Sequence, residues 1–299
     1  MDLPKPVEIA TPFFVLLIII EMLVARYGGR ARFEARDTMT SLLMGFGSTI
    51  AGILVAVPVA AMGYFVYQYR IFDIGWTWWA FVVAFILDDM AYYWFHRFAH
   101  RVRWFWASHV IHHSSQHYNL TTALRQTWTG FFSLAFAFRL PLLLIGFPWE
   151  MLVFVAGLNL VGQFWIHTEA IDRLPRWFEF IMNTPSHHRV HHATNPKYLD
   201  SNYAGVFIIW DRMFGTFVEE DPQEKCRYGI VRNLGTFNPL KVAFHEWWGI
   251  FKDVASAKSL KEIFGFMFMP PGWSPDGSRD TSDTIKEKWR KAQEAKESA

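Results

Sequence analysis

The chain has 299 residues, enough for one large domain or two ordinary ones, and its formal net charge of +2 does not indicate a nucleic-acid or acidic partner. Its single cysteine, Cys226, excludes an intrachain disulfide and a cysteine-ligated zinc or iron–sulfur site. The 15 tryptophans and the 18% share of aromatic residues fit the aromatic belts of membrane proteins.

Five apolar blocks, separated by charged segments, predict membrane-embedded helices. The first covers residues 11–25 and approaches the length needed to cross about 30 Å of hydrocarbon. The second covers residues 40–67, which is long for one span and predicts a tilted or bent helix. The third starts at Trp76 and ends in polar residues, so this helix is expected to leave the membrane while still running. The fourth and fifth, at 129–147 and 151–166, predict a hairpin.

The charges between the blocks predict the orientation of the chain. Residues 26–36 are basic, and the positive-inside rule places them in the cytoplasm. The third block then delivers His96 and His100 to the cytoplasmic side, and the fifth delivers His167 there. We therefore expect an all-α integral membrane protein, with four to five membrane-embedded helices and a cytoplasmic histidine-rich cap that holds a di-metal site. A bacterial-type inner membrane is the expected location.

Composition divides the chain into three parts. Residues 1–75 are predicted to form N-terminal membrane helices, residues 76–220 the catalytic region, and residues 221–299 a C-terminal cytoplasmic segment. The polar tail from Ser274 predicts a solvated helix or a disordered end.

Eleven of the twelve histidines lie between His96 and His192, in groups whose spacing suits metal binding. The motifs "HRFAH", "HVIHH" and "HHRVHH" place histidines three and four residues apart, so that in helices they share one face. Neutral imidazole is a good ligand for iron, zinc and copper. Since one tetrahedral zinc needs only four ligands, eight indicate two metal ions. The eight are His96, His100, His109, His112, His113, His188, His191 and His192.

Other histidine chemistries are excluded by the spacing. The segment "HEWWG" at His245 lacks the second histidine of a zinc protease motif, and no E-x-x-H motif of carboxylate di-iron bundles occurs. A histidine-rich dinuclear site at a membrane surface suits iron-based activation of O2, and no residue is required to act as a general base.

The blocks "YYWFHRFAH", "HHSSQHYNLTTALRQ", "HHRVHHATNP" and "NYAGVFIIWDRMFGTF" resemble the fatty acid hydroxylase superfamily, which includes sterol desaturases. The likeness covers residues 88–216 and is closest to the alkylglycerol monooxygenase subfamily. It implies two iron ions, O2, an external electron donor and a membrane lipid substrate. Zinc in the purified protein would be a replacement for this iron. The likeness also implies that the eight histidines are ligands, joined by His167, and that His187 is a further ligand or a partner of one.

One residue departs from this pattern. In the subfamily a glutamate follows the H-x-x-x-H pair, whereas Arg101 follows His100 here. The subfamily takes its electrons from a tetrahydropterin, and a reversed charge beside the metal site argues against the pterin. A ferredoxin or a cytochrome is the expected alternative donor.

Seven further residues are candidates for supporting a ligand or binding substrate. Carboxylates could orient ligand imidazoles or neutralise a helix end, and Arg125 could bind a lipid phosphate or pair with a carboxylate. Arg139, inside the fourth block, is expected to be paired or to reach the interface rather than to bind an anionic substrate. The seven are Asp88, Asp89, His117, Asn119, Arg125, Asp200 and Asn202.

These features predict an O2-dependent lipid hydroxylase or monooxygenase. A sterol or other lipid desaturase of the same superfamily is the alternative within this class, because both reactions start from the same metal pair. A metal-binding membrane protein without enzymatic activity is the alternative from another class. Such a transporter would carry its histidines within the spans, whereas these lie at span ends and in connecting segments.

Overall fold

The computed structural model describes residues 3–298 as α-helices joined by long loops. Within this range the only β-type pairing is an isolated bridge between Met182 and Phe207. Two short 3-10 helices cover Leu120–Leu124 and Ala135–Arg139. The α-helices are α1 (Pro6–Arg26), α2 (Ala35–Tyr67), α3 (Trp78–Arg101), α4 (Arg103–His113), α5 (Leu140–Ile145), α6 (Trp149–Phe164), α7 (Arg176–Ile181), α8 (Pro185–His191), α9 (Ile209–Met213), α10 (Pro239–Ser256), α11 (Leu260–Phe268) and α12 (Ser282–Glu297).

The first two helices are long and apolar enough to cross a membrane, and they expose their apolar faces. Only 11% of the most apolar stretch of α1 and 6% of that of α2 is buried within the protein. Side chains such as Phe46, Leu54 and Val57 are each at least two-thirds exposed. A core helix of a soluble protein would bury such a surface, since each large apolar side chain gains about 1.5–3 kcal/mol by leaving water. A lipid bilayer would remove these exposed apolar side chains of α1 and α2 from water.

The second apolar block lies within one long helix, α2. It is a single helix of 33 residues that contains Pro58 in its interior. At 1.5 Å per residue it is about 50 Å long, well beyond the ~30 Å hydrocarbon core. The side chain of Glu34 caps its N-terminus by accepting a hydrogen bond from the Asp37 amide at 2.7 Å. The extra length therefore carries the polar N-terminal turns of α2 into the histidine-bearing part of the protein.

Small residues let α3 pack closely against the α5–α6 hairpin. Ala80 and Ala84 of α3 are fully buried beside Leu143, Met151 and Val155. Close approach through alanine is typical of helix contacts inside membranes. This packing fixes the direction of α3, whose C-terminal half carries the first two histidines of the sequence motifs.

The fourth apolar block forms a bent segment and not the single helix that was expected. Leu134 adopts a left-handed conformation with φ of +53°, and a 3-10 helix and the six-residue α5 follow it. Gly146 ends α5 with φ of +123°, and a Cβ there would lie 2.1 Å from the Phe72 carbonyl oxygen. Because α5 is far too short to cross a bilayer, the hairpin with α6 is a compact element against α3.

The C-terminal part packs against the junction of α3 and α4. Arg103, the first residue of α4, is buried and pairs with Glu246 at 2.7 Å and Asp253 at 2.6 Å, both on α10. The polar tail is helical: Thr281 caps α12 by accepting from the Thr284 amide. Of the two predicted states of the tail, the structure therefore has the helix.

Candidate metal centre

Nine buried or nearly buried histidines form two adjacent groups. Within each group the possible ligand nitrogens lie within 4.8 Å of one another. Bonds of about 2.1 Å from nitrogen to a central ion place opposite nitrogens at most about 4.2 Å apart, so each group is close to the size of one coordination sphere. The five-histidine group consists of His96, His100, His109, His113 and His191; the four-histidine group consists of His112, His167, His188 and His192.

The groups combine histidines from three helices, counting His192 directly after α8, with one histidine from a loop. The end of α3, together with α4 and α8, supplies eight of the nine, and His167 follows α6. The two groups touch, since the rings of His113 and His192 stack with centroids 4.3 Å apart and an interplanar angle of 21°. The two groups are therefore neighbouring parts of one histidine cluster that could bind metal.

The spacing predicted that each H-x-x-H-H triplet would present its three histidines together. In the structure each triplet is divided between the two groups. His109 and His113 belong to the five-histidine group, whereas His112 between them belongs to the four-histidine group. In α8 the pair His188 and His192 belongs to the four-histidine group and His191 to the other. Residues four apart therefore belong to the same group, and the residue three along belongs to the other group, because 100° per residue separates i+3 from i+4 around the helix.

The hydrogen bonds of the ring nitrogens indicate that a cation belongs between the rings. His112 Nδ1 lies 3.3 Å from the Arg125 carbonyl oxygen, and His167 Nδ1 lies 2.8 Å from that of Gln163. A carbonyl only accepts, so in both neutral rings Nδ1 carries the proton and Nε2 carries a lone pair. These two Nε2 atoms lie 3.1 Å apart, too close for two lone pairs with nothing between them. A metal ion satisfies both.

In the five-histidine group two rings are fixed in the same way. His96 Nδ1 lies 2.7 Å from the Tyr203 carbonyl oxygen and His191 Nδ1 lies 2.9 Å from that of Ser201, so both Nε2 atoms carry lone pairs. They point at other histidine nitrogens of the group, 2.9 Å away at His109 and 3.1 Å away at His113. Main-chain acceptors that fix the tautomer are the usual support of metal-ligating histidines.

Burial favours the neutral form of most of these imidazoles. It lowers the pKa of His109, His112, His113, His188, His191 and His192 well below 6.5, and the neighbouring imidazoles add to the effect. The pKa of His167 is lowered to about 4, chiefly by burial. Since only the neutral ring binds a metal, the site is ready for ligation at neutral pH.

Asp200 and Arg125 each lie beside a histidine of the two groups. Asp200 Oδ1 lies 3.4 Å from His100 Nδ1. Arg125 accepts from His112 through its carbonyl, while its buried guanidinium pairs with Asp37 at 2.6 Å. Of the two roles considered for the Arg125 side chain, the structure therefore has the carboxylate pair and not a lipid phosphate.

The other polar candidates brace the surrounding loops. Asp88 pairs with Arg139 at 2.5 Å, which gives Arg139 the partner expected of it. Asp89 accepts from the Val206 and Phe207 amides and from the indole of Trp210. Neither carboxylate contacts a ligand ring.

The remaining candidates lie beside the two groups. Asn119 caps a 3-10 helix and donates to the Arg32 carbonyl oxygen at 2.8 Å, and Asn202 donates to the His187 carbonyl oxygen at 3.0 Å. His117 Nδ1 lies 3.3 Å from Asp37, and His187 packs against Phe217 with ring centroids 5.3 Å apart. The structure brings neither of these two histidines, nor His245, into a group.

Two carboxylates that the sequence analysis did not single out also contact the loops beside the site. Asp37 is buried at the start of α2, where it holds Arg125 and also accepts from the Gln116 and His117 amides. Glu21, the only charged residue in the first apolar block, accepts from the Leu120 amide at 2.8 Å and from the Thr168 hydroxyl. These carboxylates join α1 and α2 to the loops beside the four-histidine group.

A polar cavity of about 670 Å³ adjoins the four-histidine group. The buried Tyr118 separates the two: its ring lies 5.1 Å from that of His192 and stacks at 4.9 Å on Tyr228. The Tyr228 hydroxyl bonds to Glu169 at 3.1 Å, and burial raises the pKa of that carboxyl. Four cationic residues line the cavity: Arg30, Arg32, Arg189 and Lys225.

The fold and the site define a class: helical membrane proteins with a histidine-rich metal centre. Residues 81–216 match the fatty acid hydroxylase family, so this part of the chain is similar to that family. The matched range contains all nine histidines of the two groups and ends before α10.

Relatives named alkylglycerol monooxygenase match most of the chain. The protein of Xenopus tropicalis is 41% identical over 284 residues and that of Homo sapiens 40% over 281, each covering 93% of this chain and 62% of the relative. The chain thus spans less than two thirds of these relatives. A protein of Rhizobium tropici named ornithine lipid hydroxylase OlsE is 26% identical over 137 residues, covering 46% of this chain and 41% of its own length. No solved structure matches significantly.

Proposed function

We propose that this protein is a membrane-bound, O2-dependent lipid monooxygenase with two iron ions, and that its substrate is an ether lipid of the alkylglycerol type. The observation that carries the proposal is the pair of all-histidine groups, in one of which the Nε2 lone pairs of His112 and His167 face each other at 3.1 Å. The names of the similar proteins supply the substrate class. A metal transporter is less consistent with the site, because all nine ligands converge outside α1 and α2.

Two iron ions, when bound, supply the redox chemistry by which O2 oxidises an unactivated C–H bond. The overall reaction consumes the substrate C–H, one O2, two electrons and two protons, and yields C–OH and water. At the carbon beside an ether oxygen, the product is a hemiacetal, which breaks down to an aldehyde and a free alcohol. The histidines hold the ions, and the carbonyls of Tyr203, Ser201 and Gln163 hold the rings.

The polar cavity supports oxidation close to the lipid headgroup. Tyr118 both lines the cavity and contacts His192, so one residue separates the cavity from the metal centre. A headgroup in the cavity would place only the first few carbons of the chain beside the ions, whereas mid-chain desaturation would need a far longer separation. Gly28, Gly29 and Arg30, which directly follow α1, form part of the cavity wall, at the level where lipid headgroups lie.

The membrane arrangement follows from the same loop. Residues 26–36 are basic and join α1 to α2 on the side of the histidine groups, since Glu21 and Asp37 both contact loops beside them. The positive-inside rule then assigns the metal centre to the cytoplasmic side. An electron donor would reach it there.

The test is lipid mass spectrometry on membranes that contain the wild-type protein, His112→Ala or no protein, supplied with an alkylglycerol and ¹⁸O2. We expect loss of the ether lipid and release of its chain as an aldehyde only with the wild type. Because the aldehyde oxygen exchanges with water, it is trapped as the alcohol by rapid reduction before its label is read. One ¹⁸O in that alcohol supports monooxygenation.

Other outcomes contradict the proposal. A product two hydrogens lighter that keeps its ether bond would make the protein a desaturase. Unchanged lipids in all three preparations, with iron bound and a chemical reductant present, would favour the non-enzymatic metal-binding protein.

A further inference from the structure

His100 differs from the other eight ligand histidines in having a carboxylate beside it. Among the described residues it is the only one of the nine with an Asp or Glu oxygen within 4 Å of a ring nitrogen. That oxygen belongs to Asp200, whose side chain is only 10% exposed. On the opposite side of the ring, the buried His100 Nε2 has no hydrogen-bond partner, as expected of an atom that binds the ion. The Asp200 carboxylate therefore orients a ligand from behind.

Asp200 is itself held by a residue of the same helix as His100. Arg101 Nη1 lies 3.3 Å from Asp200 Oδ2, so one carboxylate faces both a ligand and a guanidinium. Asp200 also has a backbone φ of +49°, a conformation that is uncommon for residues other than glycine. The surrounding contacts must therefore maintain its position, and Arg101 is one of them.

The second partner of Arg101 lies on the C-terminal helix. Both of its terminal nitrogens bind Asp283, Nη1 to Oδ1 at 2.8 Å and Nη2 to Oδ2 at 2.5 Å. This two-bonded arrangement fixes the plane of the guanidinium, which a single bond or a lysine would not do. Asp283 stands in the first turn of α12, outside the residues that match the family.

We propose that α12 controls the occupancy of the five-histidine group through Asp283, Arg101 and Asp200, which act as positioning residues for His100. When α12 is docked, Asp283 holds the guanidinium, the guanidinium holds the Asp200 carboxylate, and the carboxylate holds the imidazole. When α12 is undocked, Arg101 is free to turn away and His100 loses its support. The four-histidine group has no contact with this chain of residues. The proposal rests on the metal centre but on no particular lipid.

The effect is therefore selective for one ion. Loss of a group that orients a metal-ligating histidine typically weakens metal binding about 10–100-fold. Asp200→Asn removes the group beside His100 and should weaken one of the two ions by this factor. Asp283→Asn removes only the exposed pair that holds Arg101, so it should weaken the same ion by no more than about fivefold and leave the other unchanged. Glu287→Gln is the matched control: it removes the same charge from the same helix, where Glu287 pairs only with Lys291 at 2.7 Å.

The experiment is a titration of the detergent-solubilised full-length protein with Fe(II) under anaerobic conditions, in which bound iron per chain is measured without substrate. We expect two tight sites in the wild type and in Glu287→Gln, and one tight and one weakened site in Asp283→Asn and Asp200→Asn. Equal weakening of both sites in Asp283→Asn, or no weakening, would overturn the proposal. Because no lipid is involved, this result is independent of whether the protein oxidises ether lipids.

A reciprocal measurement needs no variant. If docking of α12 favours the ion, binding of the ion must favour docking of α12 by the same free energy. Adding Fe(II) to the wild type should therefore slow amide hydrogen exchange in residues 282–297. Hydrogen exchange in residues 282–297 that does not change when Fe(II) is added would contradict the coupling. This measurement uses the wild type, so it does not depend on whether Asp283→Asn folds.

Discussion

The two histidine groups use the same ligand chemistry, yet opposite ends of the chain hold them in place. The four-histidine group depends on the membrane helices: Asp37 of α2 holds Arg125, whose carbonyl holds His112, and Glu21 of α1 holds Thr168, next to His167. The five-histidine group depends on the C-terminal segment, through Arg101 and Asp283. Two sites that touch can therefore respond separately to changes in distant parts of the chain.

The contrast extends to the kind of support. Asp37 is 2% exposed and Arg125 is 1% exposed, so their pair is isolated from solvent. Arg101 and Asp283 are 35% and 59% exposed. Removing one partner of a buried pair costs about 3–5 kcal/mol, whereas an exposed pair contributes about 0–1 kcal/mol. The N-terminal support is therefore part of the folded core, and the C-terminal support is easily released.

The largest expected effect comes from removing one histidine from either group. His113→Ala should remove the ion of the five-histidine group and His112→Ala that of the four-histidine group, so each variant should retain about one iron per chain and lose its activity. Iron content and lipid oxidation check this. His245→Ala, outside both groups, is the control and should keep two ions. Loss of both ions in each single variant would mean that the groups do not bind independently.

A smaller effect is expected at the N-terminal support. Asp37→Asn leaves the Arg125 guanidinium buried with only neutral partners, so unfolding should become easier by about 3–5 kcal/mol and iron should be lost first from the four-histidine group. Thermal unfolding in detergent, together with iron content, checks this. Glu287→Gln, which removes an exposed pair with Lys291, should leave the thermal stability nearly unchanged. Equal melting of Asp37→Asn and the wild type would contradict the contrast between the two supports.

The pH dependence should be shared by both groups. Burial lowers the histidine pKa values in the folded state, to about 4 for His167, whereas unfolded histidines titrate near 6.5. Between these values the unfolded chain binds more protons, so the metal-free protein should lose stability as the pH falls from about 6.5 toward 4. Melting temperatures at pH 7.5, 6 and 5 check this. The metal-loaded protein should keep its melting temperature to a lower pH than the metal-free protein. A melting temperature that rises on acidification would contradict the burial of neutral rings.

The comparison also shows what the sequence reveals. The four-residue spacings of His96 with His100 and of His188 with His192 predict shared ions, because they depend only on helix geometry. His112 and His191 each belong to a different group from the other two histidines of their triplets. This depends on how α4 and α8 are rotated relative to each other, which no local sequence pattern predicts. The carbonyl acceptors of Tyr203 and Ser201 are invisible in the sequence, since every residue carries one.

Long-range supports were the least predictable. Asp37 lies 88 residues from Arg125 and Asp283 lies 182 residues from Arg101, and isolated carboxylates in polar segments carry no sign of a distant partner. The bend at 129–147 was likewise hidden, because an apolar composition suits a compact hairpin buried against α3 as well as a membrane span. Arg139 was the one residue in that block whose charge required a partner, and Asp88 is that partner.

The measurement that tests the central claim most directly is Mössbauer spectroscopy of the full-length protein loaded with ⁵⁷Fe, alongside its iron content. A dinuclear centre built from the two groups predicts two irons per chain and, after oxidation by O2, a spin-coupled diferric pair with no net spin. One iron per chain, or two irons that show isolated high-spin ferric signals, would contradict the claim that the nine histidines form one di-iron site.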